Sequence, residues 1–215
     1  GDNTGTITFK ASDGINLASE ISTFTLTFIT IIENSRYTSL LVQSAGANNG
    51  VNNTFTDASA NNLTLTAAGN TVATTFSPYR AGGYSTYFDG TGDYLTLPAS
   101  TNLQMGSGSF TWECWIYATN LSAPYSGIIE GRSNSPSTST AGLLYFATDS
   151  LKYYSNSVDA LSYASFPTNT WTHVALVRNG ASAITLYVNG TSVATGTSAT
   201  VLSSPVNRIG NTFDK

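Results

Sequence analysis

Residues 171–191 read WTHVALVRNGASAITLYVNGT, and the fold turns on how they are read. Trp171 to Val177 and Ala183 to Val188 are apolar, β-branched runs joined at Asn179-Gly180. Val188 then continues through Asn189-Gly190 to Thr191. Asn-Gly between alternating apolar residues is the strongest short-range hairpin signal, because both central residues of the turn take positive φ. Two such turns in succession predict an antiparallel meander.

Outward from the meander, the period stays near two rather than 3.6. Phe110-Thr111-Trp112-Glu113-Cys114-Trp115-Ile116-Tyr117 is bulky on both faces and is expected in the middle of a sandwich, covered on both sides. Shorter strands are expected over Leu63–Thr66, Ser85–Phe88 and Tyr94–Leu97. Near the start, Thr6–Lys10 alternates, Ser12–Asn16 carries turn residues, and Thr23–Ile29 places Phe24, Leu26 and Phe28 on one face. Thr at the intervening positions suits a half-buried strand. A hairpin alone is marginal in water, so these two strands need a cover. The stretch from Glu33 to Asn53 reads as a linker, which divides the chain into a small β module over 1–34 and a sandwich over 35–215. No helix of ordinary length is visible. The expected class is all-β: an antiparallel β-sandwich preceded by a small hairpin or partial immunoglobulin-like module.

Composition narrows the function classes. Charged residues are 9% of the 215, against about 25% in ordinary proteins. Eight Lys and Arg against twelve Asp and Glu give a net charge of −4, with no chain-wide attraction for phosphate backbones. Coiled coils, helical bundles and nucleic-acid binders are excluded on this ground. The single cysteine, Cys114, cannot form an internal disulfide. No apolar run approaches the ~18 residues that span a bilayer as a helix, so no membrane insertion is expected.

Several segments taken in order carry a resemblance: Leu40-Leu41, Thr54–Ser59, Tyr87-Phe88-Asp89-Gly90-Thr91-Gly92-Asp93-Tyr94-Leu95, Ser109–Glu113, Trp171–Arg178 and Leu186–Gly190. From about Tyr37 onward the chain resembles the concanavalin A-like, laminin G-like jelly-roll family. Asn53–Asp57, Thr75–Tyr79 and Tyr87–Gly90 together are similar to domains in structural proteins of marine bacteriophages. Before them, Ala11–Asn16 and Thr23–Thr27 resemble the last hairpin of a cadherin-like or immunoglobulin-like repeat. Members of the family continue past a segment like Asn207–Asn211 with further strands. The resemblance therefore implies either that the chain is a window onto a longer protein or that a neighbouring subunit supplies an edge.

Candidate chemistry is sparse. Sugar hydrolysis needs two carboxylates flanking one bond, and glycosidases sharing this jelly roll carry them as a Glu-x-Asp-x-x-Glu run that is missing here. Glu113 stands alone, with Thr111 and Trp115 on its face. Cys114 points with Phe110, Trp112 and Ile116 and reads as a small apolar residue. His173 is the only histidine, which leaves zinc without its usual ligand set. Calcium has a case at Asp89 and Asp93, four residues apart across a glycine-rich turn, with Asp57 as a third oxygen donor. The competing reading makes these aspartates turn residues that bond their own backbone. For a sugar, rings and hydroxyl partners would come from Glu113, Trp115, Tyr117 and Tyr145. The loop Asn134–Thr140 is a further recognition candidate on a rigid scaffold.

The leading expectation is a non-enzymatic protein of the virion exterior: a phage tail fibre, head fibre or decoration protein attaching to a host-surface glycan or protein. It would sit among other virion subunits, as a homo-oligomer. A secreted bacterial adhesin or carbohydrate-binding module is the alternative, and a purely architectural subunit the third. An enzyme ranks last.

Overall fold

A computed structural model describes residues 3–9 and 22–28 as backbone, and 37–44, 51–78, 83–121, 124–133 and 139–213 with their side chains. β1 (Asn3–Phe9) and β2 (Ser22–Phe28) pair antiparallel, Ile7 opposite Phe24, as the alternating threonines predict. The turn residues Ser12–Asn16 and the expected boundary at 34/35 lie outside the described residues.

Six three-residue strands follow: β3 (Val42–Ser44), β4 (Phe55–Asp57), β5 (Thr66–Ala68), β6 (Val72–Thr74), β7 (Ser85–Tyr87) and β8 (Tyr94–Thr96). The strands then lengthen: β9 (Phe110–Tyr117), β10 (Ser126–Glu130), β11 (Gly142–Ala147), β12 (Ser150–Ser155), β13 (Val158–Tyr163), β14 (Trp171–Asn179), β15 (Ala183–Val188) and β16 (Thr191–Thr197). β17 (Arg208–Ile209) closes the set. The only helix among the described residues is one 3-10 turn, Thr101–Leu103.

One sheet has the order β13-β12-β11-β10-β17-β8-β5 and the other β16-β15-β14-β9, with every pairing antiparallel. Between them lies one core containing Trp112, Leu144, Phe146, Tyr153, Leu176 and Leu186. Each such leucine, removed from water, contributes about 1.5–3 kcal/mol. The architecture is an antiparallel β-sandwich of jelly-roll type. Gly142 opens the space this core needs, since a Cβ there would stand 2.8 Å from the Trp112 ring.

Three expectations change. Among the described strands β9 ends its sheet instead of occupying the centre, and its outer face is partly in solvent: Glu113 is exposed and Trp115 is 38% exposed. Bulk on both faces of a strand therefore does not require cover on both. Leu40–Ser44 is not linker, because Leu40 packs on the main core and β3 pairs with β4. The two Asn-Gly pairs also differ. Asn189 (φ 48°) and Gly190 (φ 77°) form a two-residue turn between Val188 and Thr191. At the other pair only Gly180 has positive φ, and three residues connect Asn179 to its partner Ala183.

Candidate functional site

The solvent-facing side of the four-stranded sheet follows from its register. Side chains alternate across a strand, so β9 turns Thr111, Glu113, Trp115 and Tyr117 outward. β14 sets Val177, Ala175, His173 and Trp171 directly beside those four. β15 then places Tyr187 against Ala175 and Thr185 against Val177. Rows thus run across the sheet, one of them Glu113–Ala175–Tyr187 and the next Trp115–His173.

Rings dominate one end. The Trp115 and His173 centroids are 5.3 Å apart, and Tyr117 lies 5.6 Å from Trp171. Phe76, just past β6, caps them at 4.8 Å from Tyr117 and 5.1 Å from Trp171 while remaining 46% exposed. Glu113 Oε2 lies 3.6 Å from His173 Nε2, beyond hydrogen-bond distance, and its side chain is 64% exposed. The result is an aromatic ridge beside an acceptor-only carboxylate, with a small residue, Ala175, as the low ground between Glu113 and Tyr187. Glu113's neighbours on the sheet are Thr111, Trp115 and Ala175, and the arrangement offers stacking and hydrogen bonding.

Three of the four residues expected to bind a sugar therefore share this face. The fourth does not. Tyr145 belongs to the other sheet, in a separate cluster with Leu143, Ala147 and Tyr154, and is almost fully buried. Its hydroxyl donates to Asp159 Oδ1 at 2.7 Å, and Tyr125 stacks on it at 5.9 Å. Burial, then Asp159's hydrogen bond and charge, push its phenol well above the usual range. Tyr145 is a structural residue with its one donor committed.

The inner face of β9 carries Cys114, as its alternation predicts. Burial first, and the Glu113 charge second, push its thiol up to about 12, which removes the thiolate needed for nucleophilic attack. A groove of about 2440 Å³ runs along β9 and takes lining residues from both of its faces, Glu113 outside and Ile116 inside. That is larger and more open than the roughly 300–1,000 Å³ of a small-molecule pocket.

The three aspartates expected to hold calcium accept hydrogen bonds from the chain itself. Asp57 Oδ1 accepts from the backbone N–H groups of Leu41 and Ser59, both at 2.9 Å. Its Oδ2 accepts from Leu63 N and the Ser59 hydroxyl. Burial alone would raise this carboxyl's pKa, but the donors from Leu41, Leu63 and Ser59 outweigh it and hold it below the usual carboxylate value. Asp93 accepts from Asn70 N and Asp89 N, and Asp89 accepts from Thr91 N across the turn where Gly90 and Gly92 have positive φ. These oxygens accept from N–H and O–H donors of the chain. No group of three His, Cys, Asp or Glu able to hold a metal occurs among the described residues. The Asn134–Thr140 loop lies largely outside them.

Sequence reading grouped Glu113 with Trp115 but missed Phe76 and the pairing with Trp171. Strand register brings these together, and a single strand's pattern does not contain it.

Comparison with known proteins agrees with the fold. The family model described as the concanavalin A-like lectin/glucanases superfamily matches residues 89–215. No curated protein matches the chain. Among solved structures, the binding domain of botulinum neurotoxin serotype C1 is similar at 15% identity and a TM-score of 0.59, over 80% of this chain and 42% of that one. The receptor-binding domain of the C/D mosaic serotype is similar at 18% identity and a TM-score of 0.61, over 82% and 43%. The binding domain of neurotoxin DC in complex with SialylT is similar at 17% identity and 0.56, over 80% and 42%. The chain spans less than half the length of these structures, and at such identities the likeness is one of fold.

Proposed function

Since the chain belongs to the concanavalin A-like lectin/glucanases superfamily, we propose that it is a non-enzymatic binding module that recognises a host-surface glycan or receptor through the outer face of its four-stranded sheet. One observation carries this reading: Trp115, Tyr117, Trp171, His173 and Phe76 form a ridge of rings on the solvent side of a sheet whose inner side already fills the core. Rings of which Trp115 and Phe76 are exposed, beside a lone carboxylate, match the demands of sugar recognition, with apolar faces for C–H stacking and an acceptor for hydroxyls. The likeness to neurotoxin binding domains, one bound to SialylT and another to rat synaptotagmin II, supports a recognition role.

The module belongs on the exterior of a bacteriophage particle, as a tail fibre, head fibre or decoration protein, following a partial immunoglobulin-like unit over 1–34. The similarity of its segments to marine phage structural proteins supports this placement. On a symmetric assembly, a weak site gains avidity of about 10²–10⁴ without new contacts.

Binding of the purified chain to an immobilised glycan array tests the recognition role. Trp115→Ala should cut the signal about tenfold or more, as for an exposed aromatic hot spot, while Trp115→Phe should retain part of it. An array left blank by the unaltered chain, or a signal indifferent to Trp115→Ala, defeats the reading. Imaging of intact particles that failed to locate the chain would defeat the virion placement separately.

A further inference from the structure

The outward row Glu113–Ala175–Tyr187 carries more information than a generic ring platform. Each step between antiparallel neighbours spans about 4.5–5.5 Å, so the Glu113 and Tyr187 backbones stand roughly 9–11 Å apart across Ala175. A methyl side chain between two longer ones leaves a shallow seat, with the Trp115–His173 pair at one end and Val177 at the other. Any ligand in the seat meets the Glu113 carboxylate from the side. Among the described residues no donor binds that carboxylate, and His173 is too far away at 3.6 Å to do so. Its acceptor capacity faces outward.

Among the described residues no arginine or lysine balances it. Of the described basic side chains, Arg132, Lys152 and Arg208 sit on the seven-stranded sheet side. Arg178 points inward, is 1% exposed, and spends its guanidinium on the carbonyls of Gly106, Gly108 and Thr200. The seat is therefore locally negative in a chain of net charge −4.

We infer that the seat over Ala175 takes an uncharged pyranose and that Glu113 makes it reject glycans ending in a carboxylated sugar. Hydroxyls donate to Glu113, whereas a second carboxylate brings repulsion that none of the described arginines or lysines stands near enough to absorb. Glu113 is thus a specificity-determining residue. This inference rests on the binding role proposed above and reaches past it to ligand class.

Matched pairs of immobilised oligosaccharides, neutral lactosyl forms against their sialylated counterparts, test it with the purified chain. The neutral member of each pair should bind roughly fivefold better at low salt, as expected of like charges about 4 Å apart in water. At 1 M salt, where screening acts within about 3 Å, the gap should close. Glu113→Gln should close it at low salt too. Sialylated probes binding as well as neutral ones, with all signal still lost in Trp115→Ala, would overturn the specificity while leaving the binding role intact. A gap that survives both Glu113→Gln and high salt would also overturn it. A chain that binds no member of the panel would overturn both proposals. Matching thermal melts for the variants exclude unfolding as the cause.

Discussion

The four-stranded sheet and the segment from residue 37 to 97 solve the same problem by different means. In the first, strands of six to nine residues hold one another by long ladders, and β9 and β14 keep eight consecutive partners in register. In the second, β3 to β8 have three residues each, too few for a ladder to set their positions. There, buried carboxylates take over. Asp57 ties Leu41, Ser59 and Leu63 together, and Asp93 ties Asn70 to Asp89. The difference teaches that charge enters this charge-poor chain where the backbone cannot organise itself. Loops receive the same treatment. Arg178 gathers the carbonyls of three loop residues, and Glu130, fully buried, takes the Arg132 guanidinium and backbone N–H.

If these clamps substitute for ladders, removing them should hurt far more than altering the outer face of the long-stranded sheet. Arg178→Met should have the largest effect. It strips charge-assisted bonds from the partly buried carbonyls of Gly106, Gly108 and Thr200, of which Gly106 keeps the Leu202 N–H, and removes a cation 4.8 Å from the Phe110 ring. The expected loss is about 3–5 kcal/mol, or a fall of roughly 10 °C in melting temperature for a chain of this size. A urea midpoint lowered by less than about 1 kcal/mol-equivalent would mean that water replaces the guanidinium, and the clamp idea would fail.

Glu130→Gln comes next. The neutral amide cannot pair with an Arg132 that is itself nearly buried, with Nη2 2.7 Å from Glu130 Oε2. A loss of about 3 kcal/mol is expected from stranding that charge. If Arg132→Met in the same background recovers most of it, the cost belongs to the unpaired cation. If it recovers none, the carboxylate's bonds to the backbone at Arg132 and Phe213 account for it instead.

Asp57→Asn should cost about 1–3 kcal/mol at neutral pH, since one oxygen that accepts two hydrogen bonds becomes a donor. The pH dependence gives it a signature. The folded pKa lies below the unfolded value of about 3.9, so the native state holds the proton less tightly. Asp57's contribution is therefore full above about pH 4 and is lost as pH falls through the folded pKa. Urea melts at pH 7, 4 and 3 should show a smaller acid loss in Asp57→Asn than in the unaltered chain. Equal losses would mean that other carboxylates govern acid unfolding.

The same contrast explains what could be read from the sequence. Phe110–Tyr117, bulky on both faces, emerges as a strand with those bounds, and Asn189-Gly190 makes the expected turn. β10 to β13 gave no comparable signal. β11 is buried at all six positions, so its two faces show no alternation. The turns at Thr148-Asp149 and Asn156-Ser157 take positive φ at four residues without any glycine, which hides both hairpins. A carboxylate in a polar loop has the same sequence signature whether it meets a cation or a set of N–H groups, so the N–H and O–H donors around Asp57 come into view only in the structure. The site was half legible: one strand's alternation exposes Glu113 and Trp115, but only tertiary register brings up Trp171, His173 and Phe76.

Glu113→Gln marks the far end of the comparison and should change stability by no more than about 0.5 kcal/mol in either direction. Its side chain is largely in water, its nearest ionisable neighbour, His173, is 3.6 Å away, and the ladder beneath it belongs to the backbone. A solvent-screened contact of this kind contributes little to folding. The outer face is thus free to vary chemically while the sheet under it stays put, which is the condition a recognition surface needs. A melt showing Glu113→Gln to be as costly as Asp57→Asn would place Glu113 among the clamps, and the division between ladder-held and charge-held halves would lose its boundary.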